Sequence, residues 1–254
     1  MKKQSFKLDL NENVADIYYP SLLKLQKRLS DVQFYARAND EITVKRVIAK
    51  YNKISAENIV LTNGSYHALE LLSGFLLDKN DEMIILAPTF PFYDKFEKYK
   101  KFKIKKVFYR AATIAIDEII GAITNKTKIV YIANPNNPIG SSLSRRELLK
   151  LIKICEKKKI FALIDEAYCE FGGESVVDLV DKYKYLIVLR TFSKFLGLAG
   201  IKVGYIVVNS ARAQEFEFVR GPSFAISKFG LIVAETILRN PKLIKKIQKR
   251  NRCD

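Results

Sequence analysis

Along the chain, short runs in which nearly every position is apolar alternate with stretches in which apolar residues return every three or four positions. The first pattern reads as strands buried on both faces, the second as helices that bury one stripe. Strand runs fall at 58–62 (NIVLT), 82–87 (EMIILA), 102–109 (FKIKKVFY), 128–134 (KIVYIAN), 160–165 (IFALID), 185–191 (YLIVLRT) and 203–208 (VGYIVV). Helical spacing covers 65–77 and 144–158, where Ser144 and Glu147 make a capping box. Residues 1–40 read as an extended arm and one helix, and 226–251 as a long helical pattern broken at Pro241.

Strands alternating with helices predict an α/β fold with a mostly parallel central sheet and helices on both faces. The expected organisation is an arm and helix over 1–40, a large domain over 41–225, and a helix over 226–254 leading into an incomplete small domain. With 254 residues, 48% of them hydrophobic, the chain can bury one sizeable core and part of another. It carries no internal repeat, low-complexity tract or flexible linker.

No run approaches the roughly 18 apolar residues that span a bilayer, and MKKQSFKLDLNEN lacks the apolar segment of a signal peptide. The expectation is a cytoplasmic protein with no membrane partner. Cys155, Cys169 and Cys253 are odd in number and form no CxxC pair, so neither a disulfide framework nor a metal site is expected. The net charge of +17 would suit a nucleic-acid binder, yet the lysines are scattered through amphipathic segments without an aromatic-interleaved stripe. They read as solvated faces, and no nucleic-acid partner is expected.

Ligands of parallel α/β sheets sit at the carboxyl ends of the strands, so the residues there are the candidates for chemistry. After NIVLT, Gly64 permits a tight turn and Ser65 starts a helix whose free N–H groups suit a phosphate, although an ordinary strand-to-helix turn looks the same. After KIVYIAN comes NPNNPIG, either a plain turn or a loop that points the Asn137 amide into a site. Asp165 ends a buried apolar run, which calls for a cation or for use as a helix N-cap. Lys194 follows YLIVLRT in TFSKFLGLAGIKVGY, where an amine gains nothing unless it is neutralised, paired or used covalently, as in a Schiff base.

The order NGS, NPNNPIG, DEAY, TFSK and GLAGIKVGY resembles the fold-type I pyridoxal-phosphate enzymes, in particular the histidinol-phosphate aminotransferases, from about residue 8 to the final helix. The resemblance implies pyridoxal 5'-phosphate as cofactor, Lys194 as its Schiff-base lysine and Asp165 as the partner of its ring nitrogen. It places Asn137 and Tyr168 on the ring 3-oxygen, and Phe90 on the ring face, where a core position is the alternative. Gly64, Ser65, Tyr66, Thr191 and Ser193 would hold the phosphate. Tyr35 would reach the phosphate of a neighbouring subunit, which implies a homodimer. Asn11, Glu12 and Asn13 would lie on the substrate side, while His67, the only histidine, reads as a helix residue and not a catalyst.

Two departures carry expectations of their own. Lys202 stands where the family has an arginine, and a point charge in place of a planar fork should weaken the grip on phosphate. The family's chains continue past the position of Asp254 into a segment bearing the arginine for the substrate's acidic group. That suggests a fragment, a subunit completed by another polypeptide, or a shortened enzyme. It also suggests that Leu231, Ile232, Ile237, Leu243, Ile244 and Ile247 are left without cover. The implied reaction is transamination between an amino acid or amino alcohol phosphate and a 2-oxo acid. Decarboxylation of a phosphorylated amino acid and a non-catalytic product that keeps the cofactor domain remain open.

Overall fold

The structure, a computed structural model, describes residues 10–13, 23–109 and 116–251. The rest of the expected N-terminal arm and helix, and Cys253, lie outside the described residues. All the strand runs of the sequence form strands: β1 (Ile59–Thr62), β2 (Glu82–Ala87), β3 (Lys103–Phe108), β4 (Thr127–Ala133), β5 (Phe161–Asp165), β6 (Leu186–Thr191) and β7 (Gly204–Val208). They make one sheet in the order β1-β7-β6-β5-β4-β2-β3. The pairs β2 with β3, β2 with β4, β4 with β5 and β5 with β6 are parallel, whereas β7 runs antiparallel to both β1 and β6.

The described helices are α1 (Ala38–Asn52), α2 (Gly64–Leu76), α3 (Tyr93–Lys100), α4 (Ile116–Gly121), α5 (Arg145–Lys158), α6 (Ser210–Arg220), α7 (Lys228–Leu238) and α8 (Pro241–Asn251). Because side chains alternate across a strand, β1 sends Ile59 and Leu61 to one face and Val60 to the other, and β4 divides Val130 and Ile132 from Ile129 and Tyr131. The first face is covered by residues such as Ile48 of α1, Leu151 of α5, Ile237 of α7 and Ile247 of α8. The second is covered by Leu69 and Leu72 of α2, Tyr93 of α3 and Phe216 of α6. At the start of α5 the capping box of Ser144 and Glu147 is present in both directions.

The helical pattern near the end of the chain breaks at Pro241 as its sequence requires, with Asn240 accepting from the Leu243 N–H and the proline at the first helical position. The expectation that its apolar positions lack cover is corrected. Leu231, Ile232, Ile237, Leu243, Ile244 and Ile247 are all buried in the core of the first face. The reason is the break: α7 lies against α1 and the 3-10 segment Lys24–Gln33, and α8 packs back on α7. Ion pairs fasten the same region, Arg220 to Glu41 at 2.7 Å and Lys228 to Asp40 at 2.6 Å.

The two edges of the sheet differ. All four residues of β1 are buried, whereas β3 carries Lys103, Lys105 and Lys106 and has no buried residue.

Candidate functional site

Parallel strands bring their following loops to one side of the sheet, and there the ends of β1, β2, β4, β5 and β6 surround a cavity of about 470 Å³. Asp165 ends β5 and reaches this cavity while only 6% exposed. Its Oδ1 accepts from the Ala167 N–H at 3.0 Å and its Oδ2 from the Tyr131 hydroxyl at 2.9 Å. Burial pushes the Asp165 carboxyl up to about 6, the Ala167 and Tyr131 hydrogen bonds pull the other way, and the neighbouring Glu166 adds to the rise. Among the described residues no cation pairs with it. A buried carboxylate held by donors, but lacking a countercharge, is suited to a cationic group entering the cavity.

Lys194 lies half-buried on the same cavity, beyond the end of β6. Its Nζ donates to the Leu10 carbonyl at 2.6 Å and stands 5.6 Å from the centre of the Tyr168 ring. The amine is therefore held by the N-terminal arm and one aromatic face, and among the described residues no carboxylate pairs with it. Asn11 lines the cavity too, its Nδ2 donating to the Tyr168 hydroxyl at 3.1 Å, and Glu12 stands beside it.

Opposite, α2 begins at Gly64 with φ +83°, and no side chain caps its start. Its first N–H groups are left for an anion, with Ser65, Tyr66, Ser193 and Lys202 on the adjoining wall. This corner is set by backbone packing. A β-carbon on Gly204 would stand 2.8 Å from the Gly64 carbonyl carbon and 2.9 Å from the Ser65 nitrogen, so only glycine lets β7 run so close beneath the turn. Phe90 is 37% exposed on the cavity wall, which decides against a core position, and Asn137 lines the wall below.

Four expected site residues fall outside the cavity lining. Gly64 contributes the turn itself. Thr191 is buried and its Oγ1 accepts from the Ser193 N–H at 3.1 Å, so it shapes the loop. Asn13 turns away to the Phe195 carbonyl and Asn251. Tyr35 is 79% exposed and borders a separate groove with Asn63 and Lys228. His67 also lies outside: its Nδ1 accepts from the Asn63 N–H at 3.1 Å, and burial lowers its pKa, as befits a neutral ring that steadies the turn.

Two features were not read from the sequence. Tyr131 is fully buried in β4 and was legible only as a core aromatic, although a buried tyrosine hydroxyl needs a partner. Glu166, on the other side of the strand end from Asp165, is bound by Arg190 through Nε at 2.8 Å, by Ser175 at 2.8 Å and by the Val176 N–H at 2.7 Å. Arg190 also reaches Glu170 at 2.9 Å. This saturated buried network ties the end of β5 to β6 directly beneath the cavity.

The seven-stranded α/β sheet, with a lysine, an aspartate and an open helix start around one cavity, has the aspartate-aminotransferase-like fold. Residues 13–252 match the family aminotransferase class I and II, and the chain belongs to that family. The chain is 33% identical over 248 residues to the histidinol-phosphate aminotransferase of Clostridium kluyveri, covering 94% of this chain and 68% of the relative. It is 32% identical to histidinol-phosphate aminotransferase 2 of Archaeoglobus fulgidus, covering 98% and 70%. In fold it is similar to the crystal structure of histidinol-phosphate aminotransferase from Sinorhizobium meliloti in complex with pyridoxal-5'-phosphate, with TM-score 0.84, 23% identity, and 94% and 66% of the two chains covered. The chain thus spans about two thirds of the length of these relatives. Among the described residues no helix is long and apolar enough to cross a membrane.

Proposed function

We propose that this chain binds pyridoxal 5'-phosphate and transfers an amino group between an amino acid or amino alcohol phosphate and a 2-oxo acid, in the manner of a histidinol-phosphate aminotransferase. One observation carries the reading: a buried carboxylate without a countercharge among the described residues, Asp165, and a lysine amine, Lys194, line the same cavity. The cofactor-bound relative of like fold supports the choice of cofactor, and the curated relatives support the substrate class.

When bound, the cofactor supplies an aldehyde that condenses with amines and a ring that takes up the electron pair of a bond broken at the amino acid α-carbon. Asp165, steadied by Tyr131 and Ala167, would hold a proton on the ring nitrogen. The N–H groups at the start of α2, with Ser65, Ser193 and Lys202, would hold the phosphate. Phe90, Asn137 and Tyr168 line the cavity, where Phe90 would cover a ring face and Asn137 and Tyr168 would bind the 3-oxygen. The Lys194 amine, which lines the same cavity, would be the nucleophile for the cofactor's aldehyde and, when free, the base that holds the proton of the substrate α-carbon. Asn11 and Glu12 border the substrate side. The high exposure of Tyr35, away from its own cavity, supports its reaching the phosphate of a second copy in a homodimer.

The test is to load the protein with pyridoxal 5'-phosphate, reduce with borohydride and map the peptides. The label is expected on Lys194; a label elsewhere, or none, overturns the assignment. Incubation with amino donors and 2-oxo acids should then yield the exchanged pair, whereas release of carbon dioxide without exchange would favour the decarboxylase reading.

A further inference from the structure

Lys194 opens a tight turn, in which the Gly197 N–H donates to the Lys194 carbonyl at 3.0 Å and the Leu198 N–H to the Phe192 carbonyl at 3.0 Å. Inside that turn the Phe195 ring is buried, edge-on to Phe171 at 5.5 Å. The Phe195 carbonyl faces outward and receives two side-chain amides: Nδ2 of Asn251 at 3.1 Å and Nδ2 of Asn13 at 3.4 Å. Asn13 also donates to Oδ1 of Asn251 at 3.4 Å, which closes the group on itself. Gly197 has φ +63°, and a β-carbon there would meet the Asn13 backbone oxygen at 3.2 Å, so the arm lies directly on the turn.

The anchor of this group is α8. Asn251 follows Ile247 by four residues and shares its helix face, and Ile247 is fully buried, as Leu243 one turn earlier is nearly so. The Asn251 amide is therefore presented from a helix fixed in the core. Its bond to the Phe195 carbonyl holds the peptide unit that follows the one leaving Lys194.

We propose that Asn251 is a positioning residue for Lys194, acting through the Phe195 carbonyl in concert with Asn13. This rests on the reading of Lys194 as the residue that bonds pyridoxal 5'-phosphate. The amine must approach the cofactor at a defined angle, and a turn free to rotate about the Phe195 peptide unit spreads that angle. The C-terminal helix thereby joins the site without touching it.

The experiment compares wild type, Asn251→Ala, Asn13→Ala, the double variant and the isosteric Asn251→Asp, each incubated with pyridoxal 5'-phosphate. Three quantities are read: the rate of borohydride-trapped label at Lys194, the pH midpoint of the visible absorption band, and the melting temperature without cofactor. Labelling of wild type at Lys194 tests the underlying reading by itself. For Asn251→Ala the labelling rate is expected to fall about threefold to tenfold, the loss of one net hydrogen bond, with a shifted pH midpoint and a nearly unchanged melting temperature. Asn251→Asp should be at least as impaired, since it keeps the shape but loses the donor. The double variant should be more impaired than Asn251→Ala, because the Phe195 carbonyl then loses both of its side-chain donors. Wild-type labelling rate and pH midpoint in both Asn251 variants overturn the proposal, as does a lower melting temperature with unchanged labelling of the folded protein, which would make the residue structural only.

Discussion

The hydroxyl of Tyr131 donates to Oδ2 of Asp165 across 2.9 Å, joining the ends of β4 and β5 inside the sheet. Strand register makes the contact: Ala133 pairs with Asp165, and Tyr131 lies two residues before Ala133 on the same face. Tyr131→Phe should leave the buried carboxylate with one donor in place of two. The expected cost is about 1.5–3 kcal/mol near pH 7.5, where the group is charged, and much less at pH 4, where it is protonated. Urea unfolding of the cofactor-free protein at the two pH values measures the difference, and an equal cost at both would show that the hydroxyl serves packing alone.

Asp165 itself sets a pH dependence. Its folded pKa of about 6 is above the usual carboxylate value, so between about pH 4 and 6 the folded protein keeps a proton that the unfolded chain releases. Its contribution to stability therefore falls as pH rises through that window. Asp165→Asn removes the penalty, and after allowing for a lost acceptor the cofactor-free variant should be more stable than wild type at pH 7.5 by on the order of 1 kcal/mol. The gain should vanish at pH 4, and added pyridoxal 5'-phosphate should stabilise the variant far less than wild type. Melting curves at both pH values, with and without cofactor, read all of this.

Lys202 lines the cavity together with Ser65 and Ser193 and makes no ion pair with a described residue. Replacing its point charge by a planar fork should add one charge-assisted hydrogen bond to a phosphate. Lys202→Arg is expected to tighten cofactor binding by on the order of 1 kcal/mol, about fivefold. Titration of the cofactor-free protein decides it, and an unchanged affinity would mean that this side chain does not face the phosphate.

The close passage of β7 under the start of α2 gives a structural counterpart. Gly204→Ala puts a methyl group against the Gly64 and Ser65 backbone, which has no flexible end to move aside. The turn must shift, at about 1–3 kcal/mol of stability, and affinity for inorganic phosphate should fall with it. Competition of phosphate against the cofactor provides the second readout.

Most of the sheet was legible because its strands announce themselves locally: Ile59 to Thr62 or Leu186 to Thr191 have no other way to bury so many apolar side chains. The chemistry at the strand ends was legible for the converse reason, since Asp165 and Lys194 are polar groups where apolar ones are expected. What escaped was long-range. Nothing near Tyr131 in the sequence indicates Asp165, 34 residues on, and Arg190 inside an apolar strand gives no sign that Glu166 and Glu170 neutralise it. Asn251 lies 56 residues after Phe195 at the end of the helical pattern, and only the folding back of α8 brings the two together. The cover over Leu243 and Ile247 was misjudged because it was expected from the segment that follows in the family's chains, whereas α8 folds back on α7 and buries these residues itself.

The unequal edges of the sheet bear on how copies of this chain treat one another. A strand at the rim offers unpaired amide and carbonyl groups to any other chain in extended form, and β1 is shielded from that by its burial. At β3 the guard is electrical: three lysines on six residues make an approaching identical edge repulsive. Such protection depends on the ions in the medium, for the range of the repulsion shrinks to about 3 Å in molar salt. Concentrated salt should therefore draw the protein into edge-paired assemblies that dilute buffer keeps apart, and light scattering across a salt series would follow that guard as it fails.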